Sequence, residues 1–278
     1  MSNNLQPNFM AGSIGLFDSG VGGLSIFKAI QSRLPNESIT YIADTAFSPY
    51  GERTEQQIKE RAFALTETLM NLGAKIIVVA CNSATAAAIV DMRQHFSIPI
   101  IGVEPGIKPA MEASRSGRVG VLATQATIQS QKFNDLKRSF TTGDQQVTAL
   151  ACPGLADLIE QGEFDDQAIT ECISAQLIAL NEARIDTLVM GCTHYGFAST
   201  AISKALPEQV VLIDTAMAVA TEVEPRLQLC DALITDRTRP SFQLCSTSND
   251  TALFAHNSRV LLGYQYSVYA INLETPHV

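Results

Sequence analysis

Short unbroken apolar runs alternate along the chain with longer segments whose apolar residues recur at helical spacing. "SIGLFDS" reads as a strand and "GGLSIFKAIQSRL" as a helix. "ESITYIAD" is a strand, and "TEQQIKERAFALTETLMNLG" is a helix ending on Gly73. The strand "AKIIVVACN" then leads into the helix "SATAAAIVDMRQHF", and the strand "IPIIGVEP" into a helix opened by Pro109. These strands are continuous and β-branched rather than alternating, as expected for strands covered on both faces of a parallel sheet.

A second series starts near residue 118. It runs through the strand "RVGVLATQ", the helix "ATIQSQKFNDLKRSF", the strand "QQVTALACP" and the helical "LADLIEQG". It continues with the helix "AITECISAQLIALNEA" and the strands "IDTLVMGCT" and "EQVVLIDTA". Strands alternating with helices predict an α/β fold. The two series share order and spacing: "IGLFDSGVGG" answers "VGVLATQATI", "VVACNSATA" answers "LVMGCTHYG", at offsets of roughly 105 to 111 residues.

The expected architecture is two similar doubly wound parallel-sheet domains related by a pseudo-two-fold axis, with the active site in the cleft between them. Residues 1–104 and 217–278 are expected to form the first domain. Residues 105–216 form the second.

Ligands of open parallel sheets sit beyond the carboxyl ends of the strands. Cys81 and Cys192 each end a strand at matching places in the two halves. If the halves face each other, so do the thiols. A ligand between them can lose a proton from one face of a carbon and regain one on the other.

Composition narrows the classes. The 278 residues are 46% hydrophobic and 17% charged, ordinary for a globular chain with a sizeable core. A net charge of −9, with no cluster of Lys and Arg, argues against nucleic acid as a partner. No apolar run nears the roughly 20 residues that span a bilayer, so no membrane is expected. The start, "MSNNLQPNFMAGS", lacks a charged and an apolar region; it reads as a short disordered lead-in and not as a signal peptide. The six cysteines form no C-x-x-C pair, which predicts free thiols and a cytoplasmic location.

The motifs carry the chemistry. "CNSAT" and "GCTH" give each thiol hydrogen-bonding neighbours and a helix N-terminus, which favours thiolates and anions. His194 can exchange a proton near Cys192. No Lys or Arg stands in these motifs apart from Arg53 at one edge. An anionic ligand must therefore be held by backbone N–H groups and by Ser19, Ser83, Thr85 and Thr193. In "FDSGVGG", Asp18 either handles a cationic amino group or tunes a thiol. A competing reading takes Gly20, Gly22 and Gly23 as a dinucleotide loop with Asp44 as the ribose acid. The third glycine is missing, however, since position 25 is Ser, and Asp18 would repel a pyrophosphate. A zinc site from Cys81, Cys152, Cys192 and His194 lacks ligand spacing. A non-catalytic binding protein on the same fold is a third reading.

The motifs "DSGVGG" (18–23), "DTAFSPYG" (44–51), "ACNSAT" (80–85), "LIEQG" (158–162) and "GCTHYG" (191–196) together resemble those of the glutamate racemases, in the cofactor-independent aspartate/glutamate racemase superfamily. With the strand order, the resemblance covers about residues 14–273. It implies interconversion of L- and D-glutamate, which supplies D-glutamate for peptidoglycan, with two cysteines and neither PLP nor metal. Cys81 would serve one face of Cα and Cys192 the other. Asp18 would assist near Cys81 and His194 near Cys192, with Asp44 and Glu160 supporting the bases. Ser19, Pro49, Tyr50, Gly51, Asn82, Ser83, Thr85 and Thr193 match substrate-binding positions.

The resemblance further implies a homodimer. Some members answer to wall precursors or bind gyrase, which this sequence does not reveal for this chain. Two positions depart from the pattern. Ser83 stands where many members have Thr, and Gly196 where Pro is usual, which predicts a looser turn. His194 stands where aspartate-acting members tend to carry Glu, which favours glutamate.

Overall fold

The computed structural model describes residues 12–236 and 239–273. The lead-in expected at the start falls, for residues 1–11, outside the described residues.

In chain order the strands are β1 (Ser13–Asp18), β2 (Ile39–Ala43), β3 (Ala74–Val79), β4 (Ile100–Gly102) and β5 (Arg118–Ala123). Then follow β6 (Gln146–Ala151), β7 (Thr187–Met190), β8 (Val211–Ile213), β9 (Phe242–Ser246) and β10 (Val268–Ala270). They form a six-stranded sheet, β10-β9-β2-β1-β3-β4, and a four-stranded sheet, β6-β5-β7-β8. Every pairing is parallel.

The repeat seen in the sequence is a repeat of topology. Strands β2-β1-β3-β4 and β6-β5-β7-β8 have the same order, and the first set is extended at its β2 edge by β9 and β10. The register repeats too. Ala80 N–H donates to Phe17 O, and Gly191 N–H donates to Leu122 O; Asp44 N–H donates to Asp18 O, and Cys152 N–H to Ala123 O.

The continuous apolar strands have the expected cause. Along β1 and β3, Ile14, Leu16, Ile76 and Val78 enter one core cluster, and Phe17, Ile77 and Val79 enter another. Successive side chains point to opposite faces, so both faces must be apolar. The first cluster runs on to Leu122, Leu188, Met190 and Tyr195, so the two sheets share a core.

Two predicted helices are divided. Ser130 lies between Gln125–Gln129 and Gln131–Phe140, where its hydroxyl accepts from Phe133 N–H at 3.1 Å. A side chain that caps the backbone competes with helix continuation. Buried Ile173 separates Asp166–Cys172 from Ser174–Glu182, but Leu177 N–H still donates to Ile173 O, so the element is kinked there.

Candidate active site

In a sheet ordered 2-1-3-4 the connections leave β1 and β3 toward opposite faces, which opens a crevice at their carboxyl ends. In the first sheet this switch point is where Asp18 ends β1 and Cys81 follows β3. In the second it lies between β5 and β7, where Thr124 and Cys192 stand. One cavity of about 210 Å³ is lined from both sheets, and Cys81 and Cys192 both face it.

Cys81 is the residue before the helix Asn82–His95, and Cys192 the one before a 3₁₀ helix, Thr193–Ala198. The N–H groups of such first turns have no partner within the helix and attract negative charge. The second of these is a 3₁₀ turn, with Tyr195 N–H donating to Cys192 O at 3.1 Å. Gly196 lies within it, and a Cβ there would meet nothing closer than 3.6 Å.

The thiols have different surroundings. Burial, and then the charge of Asp18, push the Cys81 thiol up. Cys192 Sγ stands 3.6 Å from His194 Nδ1, and His194 Nε2 stands 2.5 Å from Glu160 Oε1. Burial alone would lower the His194 pKa. The bonds to Cys192 and Glu160 outweigh it and hold the ring well above its ordinary value. One thiol therefore sits in apolar surroundings beside a carboxyl group, and the other beside an imidazolium.

The glycine turn after β1 is filled by carboxylates. Gly20 and Gly23 N–H donate to Asp18 Oδ2 at 3.3 and 3.0 Å, and Val21 N–H donates to Glu160 Oε1 at 2.7 Å. A Cβ on Gly20 would lie 1.7 Å from Glu160 Oε1, and one on Gly22 would lie 2.5 Å from His194 Nδ1. These glycines admit Glu160 and His194. The N–H groups that a pyrophosphate would need are taken, which removes the dinucleotide reading. Among the described residues no three His, Cys, Asp or Glu side chains are placed to hold a metal ion.

Of the residues singled out in the sequence, Ser19, Pro49, Tyr50, Gly51, Asn82, Ser83, Thr193 and His194 line the cavity with the two thiols. Asp18, Asp44, Glu160 and Thr85 do not. Asp18 is fully buried behind the wall, 3.4 Å from Thr193 Oγ1, and burial raises its pKa against the pull of His194. Thr85 uses its hydroxyl on Val79 O and Val103 N–H. Asp44, also fully buried, binds Tyr50 Oη at 2.6 Å, Thr247 Oγ1 at 2.7 Å and the Arg61 guanidinium. It anchors the loop that carries Pro49 to Gly51.

Other lining residues escaped the sequence reading, among them Thr124, Gln125, Asp157 and Tyr195, and Cys152 entered it only as a candidate zinc ligand. The internal repeat contained the signal for one: at the first offset, Thr124 answers Ser19. Its hydroxyl lies 2.9 Å from Ser83 Oγ. Cys152 is a third cavity thiol, pushed up to about 12 by burial first and then by Cys192 and Cys172. Among the described residues no Lys or Arg lines the cavity.

Among the described residues no helix is long and apolar enough to cross a membrane. Residues 22–223 match the model of the Asp/Glu/Hydantoin racemase family. A glutamate racemase of Herpetosiphon aurantiacus is 43% identical over 87% of this chain and 94% of its own. A crystallised glutamate racemase isoform from Bacillus anthracis superposes with a TM-score of 0.86 at 35% identity, covering 96% of this chain and 99% of that one. A Francisella tularensis glutamate racemase, solved in complex with D-glutamate, gives 0.82 at 28% identity over 95% and 98%. The paired strand-end cysteines, the doubled 2-1-3-4 topology and these likenesses agree: the chain belongs to the Asp/Glu/Hydantoin racemase family.

Proposed function

We propose that the chain is a glutamate racemase that interconverts L- and D-glutamate by two-base chemistry. The observation that carries this is the pair of thiols, Cys81 and Cys192, facing one cavity from equivalent switch points of two repeated sheets. The relatives that bear this activity in their names, and the F. tularensis complex with D-glutamate, support the substrate.

One sulfur begins as thiolate and the other as thiol. The thiolate takes the Cα proton from one face of glutamate, and the electron pair of that C–H bond passes into the adjacent carboxylate. The opposite thiol then delivers its proton to the other face. The pair of sulfurs holds one proton before and after, so the roles are exchanged and nothing is consumed.

The dianionic intermediate needs donors already aimed at it. The first-turn N–H groups after Cys81 and Cys192 and the hydroxyls of Ser19, Ser83 and Thr193 are those donors. His194, held cationic against Glu160, stands beside the Cys192 sulfur and can return a proton there. Asp18 and Asp44 act from behind the wall, through the thiol environment and through Tyr50. The product would feed cell-wall peptidoglycan. A cytoplasmic homodimer goes with this reading, and light scattering on the purified protein tests the dimer.

The test of function is exchange at Cα. The purified protein is incubated in D2O with L-glutamate, and separately with L-aspartate, while NMR follows the α-proton and circular dichroism the optical signal. Deuterium uptake with loss of rotation for glutamate, abolished in Cys81→Ala and Cys192→Ala, is expected. Exchange with aspartate alone would overturn the substrate, and no exchange with either would overturn the racemase reading.

A further inference from the structure

The relay Cys192–His194–Glu160 depends on where Glu160 is held. Glu160 is the last residue of the helix Leu155–Glu160, which packs on the 3₁₀ helix Thr193–Ala198 and the helix Asp166–Cys172 of the four-stranded half. Its side chain has two fixed partners, Val21 N–H and His194 Nε2. Its main chain has another partner, from far along the sequence. Asn257 Nδ2 donates to Glu160 O at 2.7 Å. Asn257 is fully buried on the helix Ala252–Leu262, which connects β9 to β10 of the six-stranded sheet.

The contact is close-fitting on both sides. Gly162 has φ +81°, and a Cβ there would stand 2.7 Å from Asn257 Oδ1. The glycine that ends "LIEQG" thus leaves room for the amide. Asn257 Oδ1 finds no hydrogen-bond partner among the described residues. Its donated bond is what it contributes, and an amide is retained in this buried place at the expense of an unsatisfied oxygen.

We infer that Asn257 is a positioning residue for the reaction: it holds the main chain of Glu160, and through Glu160 the ring of His194 beside Cys192. Val21 approaches Glu160 from the glycine turn and Asn257 from the C-terminal helix. Two separate parts of the six-stranded half thereby grip one residue of the other half. A small misplacement of a supporting group is enough to slow chemistry without weakening substrate binding.

This inference rests on the racemase reading, so the wild-type protein is assayed alongside every variant. Asn257→Leu and Asn257→Ala both remove the donor, and the second adds no bulk. Each is measured for kcat and KM with both enantiomers of glutamate, alone and combined with Glu160→Gln. The expected result is a fall in kcat of about tenfold or more with KM little changed. That loss should shrink markedly in the Glu160→Gln background, because the two residues act as one unit. If Asn257→Leu does not fold, Asn257→Ala carries the same reading. Unchanged kcat in a folded variant, or a loss that adds fully to that of Glu160→Gln, overturns the inference. Absence of racemisation in the wild type overturns the function instead.

Discussion

His194 Nε2 lies 2.5 Å from Glu160 Oε1, and the opposite ring nitrogen faces Cys192 Sγ at 3.6 Å. The imidazole is thus held between a carboxylate outside the cavity and a sulfur inside it. Its pKa rises above the ordinary value because both partners favour the charged ring more than burial disfavours it.

A pH prediction comes from that arrangement. A base with a higher pKa folded than unfolded binds its proton more tightly in the folded state. The stability gained is complete below about pH 6.5, the ordinary His value, and is lost as pH rises through the folded pKa. Glu160→Gln removes one raising partner and lowers that folded pKa. The alkaline limb of kcat, and the alkaline loss of thermal stability, should both move to lower pH. Superimposable profiles for wild type and variant would show that Glu160 does not hold the proton on His194.

Gly20→Ala should separate catalysis from folding. The added methyl group meets the carboxylate of Glu160, the far end of a flexible side chain. Glu160 can swing away, and in doing so leaves His194. The expected cost is about 1 kcal/mol of stability or less, with a loss of kcat of roughly a hundredfold. Urea unfolding and steady-state kinetics on one preparation decide it. A variant that loses several kcal/mol of stability but keeps its specific activity would contradict the account of the glycine turn.

Arg61 and Lys59 are neighbours on the helix Glu55–Asn71, but their ion pairs differ in kind. Asp44, the partner of Arg61, is fully buried, whereas Asp91, the partner of Lys59, has a side chain 46% exposed. Arg61→Met strands a buried carboxylate and should cost about 3 kcal/mol. Lys59→Met should cost less than about 1 kcal/mol. Only the first should raise KM, because Asp44 also holds Tyr50. Equal denaturation midpoints for the two variants would refute the distinction.

Cys81 and Cys192 should differ toward an alkylating agent. Burial and the Asp18 charge keep Cys81 protonated, whereas Cys192 has a cation beside its sulfur. Iodoacetamide at neutral pH, followed by peptide mass spectrometry, should label Cys192 before Cys81, with glutamate protecting both. The exposed Cys230 serves as the internal reference for reagent strength. Labelling of Cys81 first would contradict the protection of its thiol by burial and by Asp18.

Much of the site was legible because it lies at strand ends, and strand ends are visible as apolar runs that stop at polar residues. Cys81, Cys192, Ser19 and Thr193 were found this way. Thr85 has the right residue type in the right motif, but its hydroxyl is used by the backbone of β3 and Val103. Asp44 matched the motif, but the sequence does not show Arg61 folding back on it from the next helix. The divided helices at Ser130 and Ile173 were missed because a capping hydroxyl and a buried kink preserve apolar periodicity.

By itself the sequence determined the alternation of strands and helices, the repeat and the two strand-end thiols. Those are local properties, set by side-chain pattern and by the residue that ends each run. Which groups meet depends on the folded chain: Glu160 with Val21 and His194, Asn257 with Glu160, Thr124 with Ser83. Such pairs join residues up to 139 positions apart, as with Val21 and Glu160. The physical reason is that the two halves share one core cluster. Burying that common apolar surface brings the carboxyl ends of both sheets together and assigns each polar group there its partner.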